Sequence, residues 1–202
     1  MNAPLLYLAS GSPRRREILA NLGFRIERLA ADIDETPYPQ EDASSYALRM
    51  AQQKNQAALS RWQAKHPNPP DAPILTADTT VALNGMILGK PDNARHAKLM
   101  LQQLSDGTHQ VLSSVCVYYQ GRSNSILQSS TVTFKPLSEQ EIDAYIASGE
   151  PLDKAGAYGI QGLGGVFVSS LSGSFTGVMG LPVYETCQLL AELGSPVPPF
   201  AR

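Results

Sequence analysis

The chain has 202 residues, of which 43% are apolar and 17% are charged, and its formal net charge at pH 7 is −2. This length predicts one domain with a sizeable core, and the near-neutral charge excludes the strong basic field of proteins that bind nucleic-acid polymers or anionic membranes. No stretch approaches the roughly 20 consecutive apolar residues that a membrane-spanning helix needs.

Strand and helix patterns alternate along the first half of the chain. Leu5–Ala9 is an apolar run that predicts a buried strand, and Ser12 with Pro13 predicts the start of a helix that Gly23 ends. The other expected elements of this half are a strand over 24–30, a long helix over 43–62, a strand over 74–83, a hairpin turn at Asn84-Gly85 and a returning strand over 86–88.

The second half continues the alternation. Ser138 and Glu141 form a capping box that predicts a helix N-terminus, and Pro182 and Gly194 are typical start and stop residues of a last helix. The expected elements are a helix over 92–104, strands over 111–119 and 125–135 joined by residues 121–124, a helix over 138–148, a glycine-rich strand-like segment over 156–180 and a helix over 182–194.

This order of elements predicts an α/β protein with a mixed twisted sheet flanked by helices. We expect one domain over 1–194 and a proline-rich, loosely held tail over 195–202. Cys116 and Cys187 match neither a disulfide framework nor a zinc-ligand spacing, and the first residues lack the charged start and apolar run of a signal peptide. We therefore expect a cytoplasmic protein with two small buried thiols.

The segment Ser10–Arg15 between the first strand and the first helix has the features of an anion site. A capped helix with two solvated arginines is the simpler interpretation of Ser12, Pro13, Arg14 and Arg15. However, two arginines in the first helical turn oppose the helix dipole unless a bound anion offsets their charge. Two serine hydroxyls and free N–H groups at a helix N-terminus favour a phosphate.

Asp78 interrupts the otherwise apolar stretch Ile74–Val81. A buried carboxylate is costly unless it is paired or binds a metal. Asp78 is therefore either a turn residue at the end of the strand, or a carboxylate that holds Mg²⁺ or activates water at the end of the sheet, where α/β proteins place their ligands.

Three more charged residues have both a structural and a functional interpretation. Lys54 shares a helix face with Tyr46 and Met50, so it either reaches solvent along the surface or points into a cleft. Lys90 follows the hairpin and has the pattern of an ordinary exposed lysine. Glu35 belongs to an acidic loop, and only a nearby metal would give it a function.

The glycine-rich run around Gln161 does not match the dinucleotide-binding fingerprint. It predicts either a flexible hairpin or a loop whose Gln161 amide, which both donates and accepts hydrogen bonds, contacts the edge of a base. His66, His96 and His109 show no metal spacing and are interpreted as structural.

These motifs together resemble the Maf family over residues 5 to about 190. The matching pieces are Leu8–Arg15, Ala77–Thr79, Gly89–Pro91, Leu104-Ser105 with His109–Val111, Asp153–Gly162 and Gly180–Pro182. The resemblance implies a fold similar to the inosine-triphosphatase group, with two lobes and a cleft between them. It also implies a homodimeric nucleoside triphosphate pyrophosphatase that cuts between the α- and β-phosphates with Mg²⁺ or Mn²⁺.

The family has subtypes, and the resemblance points to the one that hydrolyses dTTP and UTP. Its three discriminating positions correspond to Arg14, Thr79 and Gln161, whereas the 7-methyl-GTP type has tryptophan, glutamine and glutamate there. An amide that donates and accepts suits the edge of thymine or uracil, and a carboxylate suits the donor-rich edge of guanine. Strict alternation places Asp78 and Thr79 on opposite faces of their strand, so both reach one substrate only if the strand bends or ends there.

The resemblance assigns a role to each candidate residue. The triphosphate is expected to bind Ser10, Ser12, Arg14, Arg15, Lys54 and Lys90, because phosphoryl chemistry depends mostly on positioning and charge neutralisation. Glu35 and Asp78 are expected to hold the metal, and Asp78 is the expected general base for the attacking water. A nucleotide-sensing regulator of cell division without turnover, a 7-methyl-GTP-type enzyme and a phosphatase that releases orthophosphate are the alternatives.

Overall fold

The computed structural model describes residues 3–198, which form seven strands and six α-helices. The strands are β1 Leu5–Leu8, β2 Arg25–Arg28, β3 Ile74–Leu83, β4 Met86–Leu88, β5 Thr108–Tyr119, β6 Arg122–Phe134 and β7 Val168–Ser172. The helices are α1 Pro13–Asn21, α2 Ala43–Gln63, α3 Ala94–Leu104, α4 Glu139–Ala147, α5 Phe175–Met179 and α6 Val183–Glu192. Short 3₁₀ segments cover Glu150–Asp153, Ala155–Ala157 and Leu163–Phe167.

The strands form one mixed sheet in the order β2-β1-β3-β5-β6-β7, with β4 added to the edge of β3. β1 runs parallel to both β2 and β3, whereas the pairs β3–β4, β3–β5, β5–β6 and β6–β7 are antiparallel. Helices connect and flank the strands, which confirms the predicted α/β class with a mixed sheet. No helix of residues 3–198 is long and apolar enough to cross a membrane.

Local signals placed most element boundaries correctly. Ser12 caps α1, and the Ser138 hydroxyl and the Glu141 carboxylate form the complete capping box of α4. Asn84 and Gly85 adopt positive φ angles of 50° and 81° in the turn between β3 and β4, as the hairpin signal predicted.

Two predicted segments were wrong. The turn between β5 and β6 is Gln120-Gly121, with φ angles of 48° and 79°, and not residues 121–124, since residues 122–124 already belong to β6. Residues 156–180 contain only one strand, β7, because much of this backbone winds into 3₁₀ turns and the short helix α5. Its N–H groups at Gly159, Leu163 and Gly164 bind side chains and not a neighbouring strand.

The apolar core has two large clusters on different parts of the sheet. The first packs β1, α1 and α6 around residues such as Leu6, Leu19 and Leu190, and the second packs β6, α3 and α4 around Leu101 and Phe134. Strand residues contribute to both clusters, so the sheet connects the two parts of the core.

Residues 195–198, at the start of the predicted tail, contact the domain. The Ser195 N–H donates to the Leu190 carbonyl oxygen at 2.9 Å, and Val197 packs against the cluster of β1, α1 and α6. The segment 195–198 is therefore docked against the domain, while residues 199–202 of the predicted tail lie outside the described part of the chain. Both cysteines are free, with Cys116 buried and Cys187 half-buried.

Candidate functional site

A cleft of about 1170 Å³ lies between elements of the two core clusters, and all ten residues predicted as site residues line it. Its wall includes Ala77 from the first cluster and Val81 and Tyr158 from the second. A nucleoside triphosphate fits a cleft of this size, since small-molecule sites occupy roughly 300–1,000 Å³. The site residues in the wall are Ser10, Ser12, Arg14, Arg15, Glu35, Lys54, Asp78, Thr79, Lys90 and Gln161.

The open edge of β3 explains why the cleft forms here. β1 pairs with β3 only at Ile74 and Leu75, and β4 pairs only from Val81 onward, whereas β5 covers the other edge continuously. Within the described chain, no strand pairs with the edge of residues 76–80 that faces away from β5. The gap between β1 and β4 along this edge of β3 therefore lies at Asp78 and Thr79.

This open edge also explains how Asp78 and Thr79 reach one cleft. Their side chains lie on opposite faces of β3, as alternation predicts: Asp78 contacts α2, and Thr79 contacts Ser113 of β5 and the Gly180 carbonyl after α5. Both faces border the cleft because it wraps around an unpaired strand edge. Neither a bend nor the end of the strand is needed, since β3 continues to Leu83.

An ion-pair cluster forms on the α2 side of the cleft, with Lys54 and Asp78 largely shielded from solvent and Glu35 about half exposed. The Lys54 Nζ lies 2.8 Å from Asp78 Oδ1 and 2.8 Å from Glu35 Oε1, so it joins the two carboxylates that were predicted to hold a metal. The Thr80 hydroxyl donates to the other oxygen of Asp78 at 3.1 Å. Only 8% of Asp78 is exposed, so its carboxylate is stabilised by pairing and not by water.

These contacts decide two alternatives that the sequence left open. Asp78 lies in the middle of β3 and is not a turn residue, and Lys54 points into the cleft and does not reach the outer surface. Tyr46 also faces this cluster: its burial, together with the negative charges of Asp78 and Glu35, raises its pKa to about 12. The Tyr46 hydroxyl donates to the Glu35 backbone carbonyl at 2.9 Å, which fixes the acidic loop against α2.

The N-terminus of α1 forms the opposite wall, and Arg15 holds it in place. The Arg15 Nε donates to the Gly180 carbonyl at 2.8 Å, and its terminal nitrogens donate to Ser10 Oγ and Thr79 Oγ1, both at 3.1 Å. Loss of solvent around the guanidinium lowers the pKa of Arg15, while the charge of Asp78 opposes that shift. Arg15 stays protonated, because an arginine pKa lies far above neutral pH.

Most of the basic side chains that line the cleft form no ion pair among the described residues. Six basic side chains line it: Arg14, Arg15, Arg28, Lys54, Lys90 and Lys154. Lys54 and Lys154 form ion pairs with carboxylates, but across residues 3–198 no carboxylate oxygen lies within 4.0 Å of the charged nitrogens of the other four. Two of these four, Arg14 and Arg15, lie in the first turn of α1, and positive charge at this helix N-terminus suits a polyphosphate.

The residues fit a divalent cation that arrives with a nucleotide. Within the described chain, no group of three or more histidine, cysteine, aspartate or glutamate side chains could hold a metal ion. Glu35 and Asp78 supply two oxygen ligands at one point, and Mg²⁺ is usually bound by one or two carboxylates together with substrate phosphates and water. The donor set is therefore incomplete without phosphate oxygens.

The glycine-rich segment lies at a third wall of the cleft. Tyr158, Gly159 and Gln161 border the cavity, and the Gln161 side chain is exposed. Behind it, the buried His109 Nε2 lies 2.8 Å from the Tyr158 hydroxyl, and burial lowers the pKa of His109 to about 4. His109 is buried and is not among the described residues that line the cleft, which agrees with its interpretation as structural.

We expect the low pKa of His109 to make the protein less stable in acid. In the unfolded chain this histidine has an ordinary pKa near 6.5 and binds a proton below that pH, whereas in the folded chain it stays neutral down to about pH 4. The free energy of unfolding therefore falls as the pH falls from 6.5 to 4. His109 should cost about 2 kcal/mol of unfolding free energy between pH 7 and pH 5. Urea unfolding of wild type and His109→Gln at both pH values measures this, since carboxylates contribute equally to both proteins. An equal loss of stability in the two proteins would contradict the assignment.

Sequence reasoning missed several residues of the site. Arg28 at the end of β2 and Lys154 line the cleft, and Ser113 and the Gly180 carbonyl position Thr79. Arg28 shows no signal beyond an exposed position in a short strand. Lys154 lies within a motif that supported the family resemblance, which is the signal that could have placed it in the site.

Comparisons with known proteins agree with this picture. The chain matches the family described as Maf-like protein over residues 5–193. It is 50% identical to a dTTP/UTP pyrophosphatase of Neisseria meningitidis serogroup A over 98% of both chains, and 56% identical to one of Pasteurella multocida over 93% of this chain and 95% of the relative. A nucleoside triphosphate pyrophosphatase of Haemophilus ducreyi is 53% identical over 96% of this chain and 98% of its own length. The match over almost the whole chain and the close full-length relatives show that this chain belongs to the Maf-like protein family.

Proposed function

We propose that this protein is a nucleoside triphosphate pyrophosphatase that hydrolyses dTTP and UTP to the monophosphate and pyrophosphate. The observation that carries the proposal is one cleft with two opposed ends: unpaired cations at the N-terminus of α1, and the Asp78–Lys54–Glu35 cluster on α2 and β3. The names of the full-length relatives support the reaction and its pyrimidine substrates.

The cations hold the triphosphate in this scheme. Ser10, Ser12 and the N–H groups at the start of α1 contact phosphate oxygens, and Arg14, Arg15 and Lys90 neutralise their charge. Arg15 is already fixed by three hydrogen bonds, so it offers its remaining N–H groups without losing further conformational entropy. Arg28 lines the same wall and adds a fourth cation there.

Asp78 is the proposed general base. Its carboxylate accepts the proton of a water that attacks the α-phosphorus, on the side opposite the pyrophosphate leaving group. Mg²⁺ or Mn²⁺ held by Glu35 and Asp78 would neutralise phosphate charge and acidify a water bound to it. A cation at these oxygens would compete with the Lys54 ammonium, which would then be free to contact the phosphates.

Arg14, Thr79 and Gln161 are the proposed determinants of substrate choice. Thr79 acts indirectly, because its hydroxyl already contacts Arg15, Ser113 and the Gly180 carbonyl. Gln161 is exposed to the cleft and presents both a donor and an acceptor, which matches the alternating edge of uracil and thymine.

A nucleotide panel tests the proposal directly. Each of dTTP, UTP, GTP, ATP and 7-methyl-GTP is incubated with the protein and Mg²⁺ or Mn²⁺, and pyrophosphate and orthophosphate are measured separately. Pyrophosphate from dTTP and UTP is the expected result. Binding without turnover would favour a nucleotide-sensing regulator, preference for 7-methyl-GTP would favour the other subtype, and orthophosphate alone would favour a phosphatase.

The Gln161→Glu variant should change base preference. A carboxylate accepts hydrogen bonds but does not donate them, so it loses one contact with uracil and gains acceptor capacity for guanine. We expect kcat/KM for UTP relative to GTP to fall about tenfold, the effect of one hydrogen bond in a positioned site. The matched control is Gln102→Glu, an exposed position on α3. An unchanged ratio would mean that Gln161 does not contact the base.

We further propose that the protein acts in the cytoplasm as a homodimer. Two free cysteines, one of them buried, suit a reducing compartment. Several large apolar side chains are exposed, among them Val166 and Tyr184, and a second copy could cover some of them. Sedimentation velocity at several protein concentrations measures the oligomeric state, and a concentration-independent monomer would contradict the dimer.

A further inference from the structure

The loop Gly159–Gly164, which carries Gln161, is wound around one carboxylate. Glu150 Oε2 accepts a hydrogen bond from the Leu163 N–H at 2.9 Å, and Glu150 Oε1 accepts one from the Gly164 N–H at 3.2 Å. Partial burial raises the pKa of Glu150, but these N–H groups and a tyrosine hydroxyl outweigh it, so the pKa lies below its ordinary value. The loop therefore closes on a charged acceptor.

Tyr145 connects this carboxylate to the other end of the loop. Its hydroxyl donates to Glu150 Oε1 at 2.9 Å and accepts a hydrogen bond from the Gly159 N–H at 3.2 Å. Only 4% of Tyr145 is exposed, and its ring packs edge-on against Phe167 at 5.0 Å between centroids. Glu150 and Tyr145 thus hold the first and last residues of the loop from one place.

The glycines of the loop are required by this close packing. A Cβ atom at Gly162 would lie 2.5 Å from both carboxylate oxygens of Glu150, and one at Gly164 would lie 2.7 Å from the Tyr145 hydroxyl. Because the partners are held by hydrogen bonds, neither has room to withdraw. The glycine spacing thus encodes a compact loop and not a flexible hairpin.

The same segment is also tied to the wall of the cleft. Lys154 Nζ donates to the backbone carbonyl of Glu150 at 2.5 Å and to Asp153 Oδ1 at 2.6 Å, and Lys154 and Asp153 both line the cavity. Glu150 and Tyr145 do not appear among the described residues that line it. They support the base side of the cleft from behind.

We propose that Glu150 and Tyr145 are positioning residues for base recognition: they hold the Gly159–Gly164 loop in the shape that presents Gln161 to the base, and they thereby set pyrimidine selectivity without touching the nucleotide. This inference rests on the proposed function. Selectivity by hydrogen bonds requires donors and acceptors at fixed positions, because a mobile amide satisfies the wrong base as well as the right one. A loop held at both ends meets this requirement.

The test compares base selectivity with phosphate binding in two variants. Glu150→Gln keeps the size of the side chain but turns an N–H group toward the loop donors, and Tyr145→Phe removes only the hydroxyl. Each is measured for kcat and KM on UTP and GTP, for binding of inorganic tripolyphosphate by calorimetry, and for thermal unfolding. Glu139→Gln, an exposed glutamate in the first turn of α4, is the matched control.

We expect the ratio of kcat/KM for UTP to that for GTP to fall about tenfold in Glu150→Gln and less in Tyr145→Phe, since a charged acceptor holds a hydrogen bond more strongly than a neutral one. Tripolyphosphate binding should match wild type, because the phosphate wall is built by other residues.

A lower unfolding temperature with an unchanged UTP-to-GTP ratio in both variants would overturn the inference. If Glu150→Gln fails to fold, the ratio in Tyr145→Phe decides alone. A wild-type protein that does not hydrolyse UTP would overturn the proposed function and this inference with it. Selective wild-type hydrolysis with unaltered ratios in the variants would overturn the inference only.

Discussion

Asp78→Asn is expected to remove most of the hydrolysis of UTP and dTTP while leaving nucleotide binding close to that of wild type. Asparagine has nearly the same shape, and its amide oxygen can accept the hydrogen bond from Lys54 while its NH2 group donates to the Thr80 hydroxyl. It cannot accept a proton from water, and loss of a general base typically lowers turnover by about a hundredfold to ten-thousandfold. Steady-state release of pyrophosphate measures kcat, and calorimetry with a non-hydrolysable UTP analogue measures binding.

A control of the same chemistry separates this effect from a change in net charge. Asp143→Asn removes a carboxylate that pairs with Lys98 on the surface, at 57% exposure of its side chain. It should keep wild-type turnover, since exposed ion pairs contribute little to stability. A fully active Asp78→Asn protein would remove Asp78 from the mechanism and leave Glu35 as the remaining carboxylate of the cluster.

Arg15→Ala is expected to weaken binding and turnover together. Its charge neutralises phosphates in both the bound substrate and the transition state, so KM should rise and kcat/KM should fall. We expect the dissociation constants of the UTP analogue and of pyrophosphate to rise about tenfold to a hundredfold, as for the loss of charge-assisted hydrogen bonds. The free energy of unfolding should fall by about 2 kcal/mol, because Ser10, Thr79 and the Gly180 carbonyl lose a common donor.

Two further variants separate the effect of the Arg15 charge from the effect of its hydrogen-bonding geometry. Arg16→Ala removes the neighbouring exposed arginine and should behave as wild type. Arg15→Lys keeps the charge but loses the planar fork that reaches three elements at once, so it should recover part of the phosphate affinity and little of the stability. Wild-type affinity for pyrophosphate in Arg15→Ala would mean that this arginine is purely structural.

The elements that the sequence predicted well are those specified by neighbouring residues. The capping box at Ser138 and Glu141, the Asn84-Gly85 turn and the serine–proline start of α1 depend on contacts within four residues, so their chemistry is visible in the chain. The Gln120-Gly121 turn was missed because glutamine is not a typical residue for a positive φ angle. The polar start of β6 was mistaken for a loop, since its exposed side chains show no apolar alternation.

The glycine-rich segment shows why a longer-range arrangement escaped prediction. Its glycines suggested flexibility or strands, yet their spacing follows from the closeness of Glu150 and Tyr145, which lie in other elements. Local sequence propensity does not predict this close packing of the glycines against Glu150 and Tyr145, because the atoms that would clash with a Cβ belong to residues outside the loop.

Ten of the residues that line the cleft were predicted from the chain, some because a charged or hydroxyl group in apolar surroundings violates local rules and others because they lie in motifs that resemble the Maf family. Their arrangement was not readable. Three features of the site depend on residues that are distant in sequence. They are the ion pairs of Lys54 with Asp78 and Glu35, the unpaired edge of β3 that opens both its faces to one cleft, and the three hydrogen bonds of Arg15. Such contacts exist only once the sheet order and the helix packing have brought these segments together, and that order depends on burial across the whole molecule and not on any single stretch of it.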